Sequence, residues 1–328
     1  MSKKTKHHFG WGDTYGVREA MMLTAPHLAL NPMPIGDFGY PKHGGEDELI
    51  DLIRKLCIRL TGKSYKHILI TQGCTNAINA YCHAEADSKT EYFACRKLYF
   101  PLYLDIATNA GLIFKPGTLG KLLNSIEIID SPSNPLGFVD GIDYGSRTLW
   151  DAAYHSPTYG VNISKAPKTP IPAHVAMAGS LSKFSGINGI RLGWLATDED
   201  ELYKSALRWS TADTSGISWP SQWLGMEILK NVDLEAFWRR SAATIDDNKI
   251  EINKLSKIFG GQEIPDKGMF AFFEVDDRIH QILDKADVVT MPGSRCGDTG
   301  DSVRINLAHT REATAAMVKA VLKADRRK

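Results

Sequence analysis

The chain has 328 residues, 43% of them hydrophobic, and a formal net charge of +1. That is enough apolar material for one large or two modest domains with their own cores. The basic residues are spread out, so there is no electrostatic footprint for DNA or RNA, and no apolar run reaches membrane-spanning length. The five cysteines, Cys57, Cys74, Cys82, Cys95 and Cys296, are odd in number and irregular in spacing, with no Cys-x-x-Cys. This argues against a disulfide framework and a structural zinc site, and for a reducing cytosol. The first residues lack the apolar core of a secretion signal, so the expectation is a cytoplasmic protein with no bound metal.

In chain order, residues 1–45 are broken by Gly10, Gly12, Pro26, Pro32, Pro34, Gly36, Gly39, Pro41, Gly44 and Gly45, with a short helix expected over Val17–Thr24. Residues 46–56 open with acids, carry Leu49, Ile50, Ile53 and Leu56 at helical spacing, and end in bases. That is an amphipathic helix with the favourable dipole bias. His67–Thr71 reads as a buried strand, and Gln72–Tyr81 as a glycine turn entering a helix. Free amides and a helix N-terminus make such a turn a natural anion site, although ordinary crossovers look similar. Further strands are expected within Glu91–Phe100 and over Leu112–Lys115, Ser125–Asp130, Arg147–Trp150 and His174–Gly179. The third runs into the double-proline turn Ser131-Pro132-Ser133-Asn134-Pro135-Leu136-Gly137. Strands ending in polar loops and separated by helices describe an open, mostly parallel α/β sheet, in which ligands bind at the carboxyl ends. Helices follow at Glu199–Trp209, Pro220–Asn231 and Leu234–Phe259. Strands are then expected at Gly268–Val275, Val288–Pro292 and Ser302–Leu307, and a closing helix from Thr310. The expected division is an N-terminal segment, 1–45, packing with a small α+β C-terminal domain, 216–328, and a large α/β domain, 46–215.

The stretch Gly179-Ser180-Leu181-Ser182-Lys183-Phe184-Ser185-Gly186-Ile187-Asn188-Gly189-Ile190-Arg191-Leu192-Gly193-Trp194 is a poor core segment. Its hydroxyls and the planar fork of Arg191 suit a phosphate, its glycines permit close backbone approach, and a desolvated Lys183 would be nucleophilic. Alone it also fits a polar surface loop. Other strand ends supply Gly73-Cys74-Thr75, Phe100, Asn134, Asp151 with Tyr154, and Arg304. Singly, Asp151 is a helix cap, Asn134 a turn residue, Phe100 core and Arg304 a solvated strand residue. Together they match the parts that pyridoxal 5'-phosphate needs: a Schiff-base lysine, a carboxylate for the pyridine nitrogen, a donor for the phenolic oxygen, a stacking ring, a phosphate cup and an arginine for the substrate carboxylate. Trp209, Trp219, Trp223 and His155 could line a pocket for a large side chain, or could equally be core.

From about Tyr40 onward the chain resembles the fold-type I pyridoxal-phosphate enzymes of the aspartate aminotransferase superfamily. The matching pieces are Tyr40, Gly44-Gly45, Gly73-Cys74-Thr75-Asn76-Ala77, Ser131 to Gly137, Asp151-Ala152-Ala153-Tyr154, Ser180 to Lys183, Arg191-Leu192-Gly193 and Arg304-Ile305-Asn306. Gly12-Asp13-Thr14, Ser182 to Gly186 and Pro292-Gly293-Ser294-Arg295-Cys296-Gly297 look most like the alliinase and plant tryptophan aminotransferase group. The chain departs from that group in Thr14, where the group has proline, in lacking a preceding cysteine-rich module, and in the short 134–151 segment. The resemblance implies a three-layer α-β-α large domain with a smaller α+β domain. It implies that Lys183 forms the Schiff base and moves the proton, Asp151 pairs with the pyridine nitrogen, and Tyr154 and Asn134 reach the phenolic oxygen. Phe100 would stack on the ring, while Gly73, Cys74, Thr75, Ser180, Ser182 and Arg191 hold the phosphate. Arg304, with Asn134, would bind the substrate carboxylate, and Tyr40 would reach a phosphate in the other subunit of a homodimer with shared sites. The implied activity is amino transfer from an amino acid, aromatic or otherwise large, to a keto acid. Decarboxylation and carbon–sulfur bond cleavage on the same scaffold are the alternatives.

Overall fold

Seven short strands, buried along most of their length, build the centre of the molecule. The computed structural model describes residues 6–25, 39–86, 89–137, 145, 147–163 and 171–326. Pro26, Pro32, Pro34 and Gly36 lie outside the described residues. Strand β1 (His7–His8) and helix α1 (Tyr15–Thr24) open the chain, and α2 (Asp47–Thr61) follows. Then come β2 (His67–Thr71), α3 (Cys74–Glu85), β3 (Tyr92–Cys95), α4 (Tyr103–Asn109), β4 (Ile113–Pro116), β5 (Ser125–Asp130) and β6 (Thr148–Asp151). Next are β7 (Ala176–Ser180), α5 (Leu181–Ser185), β8 (Gly193–Thr197), α6 (Asp200–Thr214), α7 (Trp219–Asn231) and α8 (Leu234–Asn253). The chain closes with β9 (Phe270–Glu274), α9 (Asp277–Lys285), β10 (Val288–Val289), β11 (Met291–Pro292), β12 (Ser302–Asn306) and α10 (Arg311–Asp325).

The large sheet has the order β2-β8-β7-β6-β5-β3-β4. The strands from β7 to β4 run parallel, and β8 is antiparallel to both β2 and β7. β5 to β8 are buried at every position, as strands covered on both faces must be. The period-two alternation divides their side chains between two cores. Leu69, Leu149, Ala176 and Leu195 face a cluster with α3, α4 and α6, whereas Ile68, Ile70, Trp150, Met177 and Trp194 face one with α2, α5, α7 and α8. The expected α-β-α layering is therefore present. Burial of each such Leu- or Phe-sized side chain contributes roughly 1.5–3 kcal/mol.

A second sheet, β11-β12-β9, is antiparallel, and β1 pairs in parallel with β10. The N-terminal segment is thus joined to the last third of the chain. Asn306 N–H also donates to Phe9 C=O at 2.8 Å, and α1 packs on α8.

Several elements differ from the sequence expectations. The helix expected to run to Phe259 stops at Asn253. The chain then turns so that Leu255 and Phe259 enter the core, Phe259 stacking on Phe273 at 4.4 Å, before Gly260 and Gly261 take positive φ. The single strand expected over 288–292 is two pieces belonging to different sheets. Helices α4, α5 and α9 and strands β1 and β8 were not expected. Residues 193–197 looked like the tail of the lysine stretch, yet they form β8, wedged between β2 and β7. Gly193 makes this possible: a Cβ there would lie 2.5 Å from the Gly73 carbonyl carbon.

Candidate active site

The carboxyl ends of the parallel strands, the N-terminus of α3 and the loop before α1 enclose a cavity of about 290 Å3. Its lining includes Trp11, Gly12, Cys74, Thr75, Phe100, Asn134, Asp151, Tyr154, Ser180, Lys183, Arg191 and Arg304. Ten of the thirteen residues expected from sequence are therefore together. Gly73, Ser182 and Tyr40 do not line it. Gly73 caps α3 behind the wall, the Ser182 hydroxyl is buried without a hydrogen-bond partner, and Tyr40 is 92% exposed.

Lys183 sits in the first turn of α5, entered directly from β7. Ser180 Oγ caps this turn by accepting from Lys183 N–H at 3.4 Å, and Tyr159 O–H donates to Lys183 C=O at 2.7 Å. The Lys183 ammonium donates to Gly12 C=O. Burial lowers its pKa from 10.5 to about 8; Asp13 opposes the shift, while Arg191 and Arg304 add to it. Raising the pH through about 8 therefore frees the neutral amine. The rate at which cofactor-free protein is captured by an aldehyde of the cofactor type should fall about tenfold per pH unit below that point and level off above it. Stopped-flow capture across pH 6–10 checks this, and a half-rise near 10.5 would contradict it.

Asp151 ends β6 and is buried. One carboxylate oxygen accepts from Tyr103 O–H at 2.6 Å; the other accepts from Ala153 N–H at 3.0 Å and Cys74 Sγ at 3.4 Å. Burial raises its pKa, and these three donors hold it down. Burial and the nearby carboxylate also push the Cys74 thiol well up, so its side chain serves Asp151 as a neutral donor. Tyr103 carries no signal in the sequence, because it lies inside the unexpected helix α4. Nor does Asp130, whose buried carboxyl lines the cavity, is pushed up to about 7 by burial, accepts from Asn134 N–H at 2.6 Å and lies 3.4 Å from Arg96.

Ser131–Pro132 and Asn134–Pro135 are cis, and the turn they shape presents Asn134. Asn134 Oδ1 accepts from Arg304 Nη1 at 2.5 Å, while Arg304 Nη2 donates to Gly10 C=O at 2.8 Å. The guanidinium lies over the Phe270 ring at 4.1 Å and leaves Nε without a partner. Tyr154 packs edge-on against both Phe270 and Tyr159. Trp209 stacks instead on His83, and His155 is buried against Trp150 with its pKa lowered to about 4 by burial. Neither these two nor Trp219 and Trp223 line the cavity. Its aromatic wall is Trp11, Phe100, Tyr154 and Phe270.

The residues fit pyridoxal phosphate. Gly73 at φ +82° has no side chain because a Cβ would come within 2.8 Å of Arg191 Nη2, and no side chain caps the first amides of α3. Those amides, Thr75, Ser180 and Arg191 form an anion cradle, with Asp151 and Lys183 on the same cavity.

The sequence profile of the aminotransferase class I and II family matches residues 36–321. The chain belongs to that family. Its members are pyridoxal-phosphate dependent, and the fold is that of fold type I. The chain is 31% identical to an alliin lyase of Allium cepa var. aggregatum over 108 residues, 33% of this chain and 23% of that one. It is 25% identical to tryptophan aminotransferase-related protein 2 of Arabidopsis thaliana over 211 residues, 56% of this chain and 47% of that one. The matched stretches thus span half or less of these relatives. A Thermus thermophilus aspartate aminotransferase mutant complexed with tryptophan superposes with a TM-score of 0.80 at 17% identity, covering 98% of this chain and 92% of that one. No described helix is long and apolar enough to cross a membrane, and the described residues hold no cluster of three or more potential metal ligands.

Proposed function

We propose that this family member is a pyridoxal-phosphate-dependent aminotransferase that moves the amino group of an aromatic or otherwise large amino acid to a keto acid. The observation that carries the reading is one cavity holding a desolvated lysine, a buried carboxylate and a buried arginine beside an anion cradle. When bound, the cofactor supplies an electron sink for bonds at the substrate α-carbon. Gly73, Thr75, Ser180 and Arg191 hold its phosphate, and Ser182 stands behind them. Cys74 contributes its backbone amide there and its thiol to Asp151. Asp151, whose carboxylate oxygens accept from Tyr103, Cys74 and Ala153 N–H, matches a protonated ring nitrogen. Phe100 covers the ring, and Tyr154 and Asn134 serve its phenolic oxygen.

Arg304 binds the substrate α-carboxylate, with Asn134 and Phe270 fixing its plane. This fixes the carboxylate and leaves the Cα–H bond to Lys183, which takes that proton as general base. The anchoring favours amino transfer over loss of CO2. Trp11 and Phe100 give the donor side chain an apolar wall. The chain works as a cytoplasmic homodimer in which the exposed Tyr40 of each protomer reaches its partner's phosphate site. Residues 46–215 form the cofactor-binding domain, and 1–45 pack with 216–328.

A second reading, a lyase that breaks a carbon–sulfur bond, draws on the similarity to alliin lyase. Incubating the holoenzyme with an amino-acid panel, with and without keto acids, separates the readings. Keto-acid-dependent formation of a new amino acid supports transfer. Pyruvate release without an acceptor supports the lyase, and CO2 release supports neither.

A further inference from the structure

Two carboxylates border the cavity, and the sheet sets them side by side. Asp130 ends β5, Asp151 ends β6, and the two are register partners in a parallel pair, so their side chains leave the same face. Both are buried. Neighbouring like charges disfavour each other's ionisation, and the donors around each decide which one yields. Asp151 accepts from Tyr103, Ala153 N–H and Cys74. Asp130 is held by Asn134 N–H at 2.6 Å and by Arg96 at 3.4 Å. Burial and the charge of Asp151 push it up to about 7, against Asn134 N–H and Arg96, so it changes charge in the neutral range. Cys95 on β3, Tyr103 on α4 and Tyr154 after β6 also face it, and burial pushes each of them up, so they stay neutral there.

What Asp130 holds is the turn that presents Asn134. At the start of this turn, Ser131 N–H donates to Asp151 C=O at 3.2 Å and Trp150 Nε1–H donates to Ser131 C=O at 3.1 Å. At its end, Gly137 N–H donates to Ser133 C=O at 2.8 Å. None of these three bonds depends on a titrating group. The middle of the turn rests on the Asp130 carboxylate, whose bond to Asn134 N–H is charge-assisted only while Asp130 is ionised. Asn134 Oδ1 in turn accepts from Arg304 Nη1. A line of contacts therefore runs from Arg96 through Asp130 and Asn134 to the Arg304 guanidinium.

We propose that Asp130 is a positioning residue for the substrate carboxylate: in its ionised form it fixes the Asn134 turn and, through it, the plane of Arg304. The role rests on the proposed carboxylate site at Arg304 and is independent of which bond at the α-carbon is broken. Protonating Asp130 loosens the turn and weakens carboxylate binding.

The test is calorimetric titration of holoenzyme with valerate, a carboxylate that cannot react, at pH 6, 7 and 8. Wild type is compared with Asp130→Asn, Arg96→Gln and Arg304→Gln. Asparagine has the shape of the protonated acid and never ionises. At pH 6, wild type and Asp130→Asn should bind valerate within about twofold of each other. At pH 8, wild type should bind about tenfold more tightly, as a charge-assisted contact predicts. Comparing the two at one pH cancels the other titrating groups. Arg96→Gln keeps the carboxyl and removes its counter-charge, so its gain in affinity should come at higher pH than that of wild type. This second variant also serves if Asp130→Asn does not fold. A gap of the same size at pH 6 and pH 8 marks a merely structural role and overturns the proposal. So does the absence of any gap, or an Arg96→Gln variant that titrates as wild type. Those results leave the carboxylate site standing as long as Arg304→Gln weakens binding. Binding that is indifferent to Arg304→Gln overturns that site and the proposal with it.

Discussion

Replacing Lys183 with alanine should abolish turnover, lowering kcat by at least about 10^4-fold. Two contributions disappear together. The nucleophilic amine that retains the cofactor is lost, and so is the general base at the substrate α-carbon, a role worth up to roughly 10^4 by itself. The protein should remain folded, because the Lys183 side chain lines the cavity and hydrogen-bonds to Gly12 C=O. Ser180 and Tyr159 hold the turn through backbone atoms of residue 183 that alanine retains. Steady-state assays beside thermal melts check both halves. A variant with more than about a hundredth of wild-type activity would remove Lys183 from the chemistry.

The second large effect is expected at Asp151. Asp151→Asn keeps the shape and removes the charge proposed to pair with the cofactor's ring nitrogen. Breaking a buried charge pair costs roughly 3–5 kcal/mol, equivalent to a loss of about a hundredfold to a few thousandfold in rate. Tyr103→Phe removes one charge-assisted donor and leaves the charge, so its cost should be nearer tenfold. The order of the two variants is the informative result. If Tyr103→Phe were as damaging as Asp151→Asn, the tyrosine would be acting on substrate rather than supporting the carboxylate. Absorbance spectra of the loaded variants at several pH values separate these cases, because only a change at the carboxylate should shift the ring's protonation.

The difference between these residues also shows how much of the site was legible in the sequence. Lys183, Asp151 and Asn134 could be found because each lies at or just beyond the end of an apolar strand, in a setting where a polar residue has few structural reasons to be. Gly73 was readable because a glycine between a strand and a helix marks a place where backbone must approach something. The structure names that something as Arg191 and the first residue of β8. Tyr103 and Asp130 were not legible, and Gly12 was legible only as part of the Gly12-Asp13-Thr14 match, not as a partner of Lys183. Their roles come from contacts across the fold: Tyr103 with a carboxylate on β6, Asp130 with the turn after β5, and Gly12 with a lysine on α5. Strand β8 was missed for a related reason. Its buried Gly-Trp-Leu-Ala-Thr run follows a functional motif without a break, so local pattern could not separate the two. The tryptophans and His155 were the opposite case, since large aromatics attract functional readings and burial explains these ones.

Lys183, within this cavity, is the residue proposed to carry pyridoxal phosphate. Borohydride reduction of the loaded protein, followed by proteolysis and mass spectrometry, tests it directly. An absorbance band near the visible edge should disappear on reduction, and the cofactor should then be found fixed to the peptide containing Lys183. Fixation to a different lysine, or protein that takes up no cofactor at all, would contradict it.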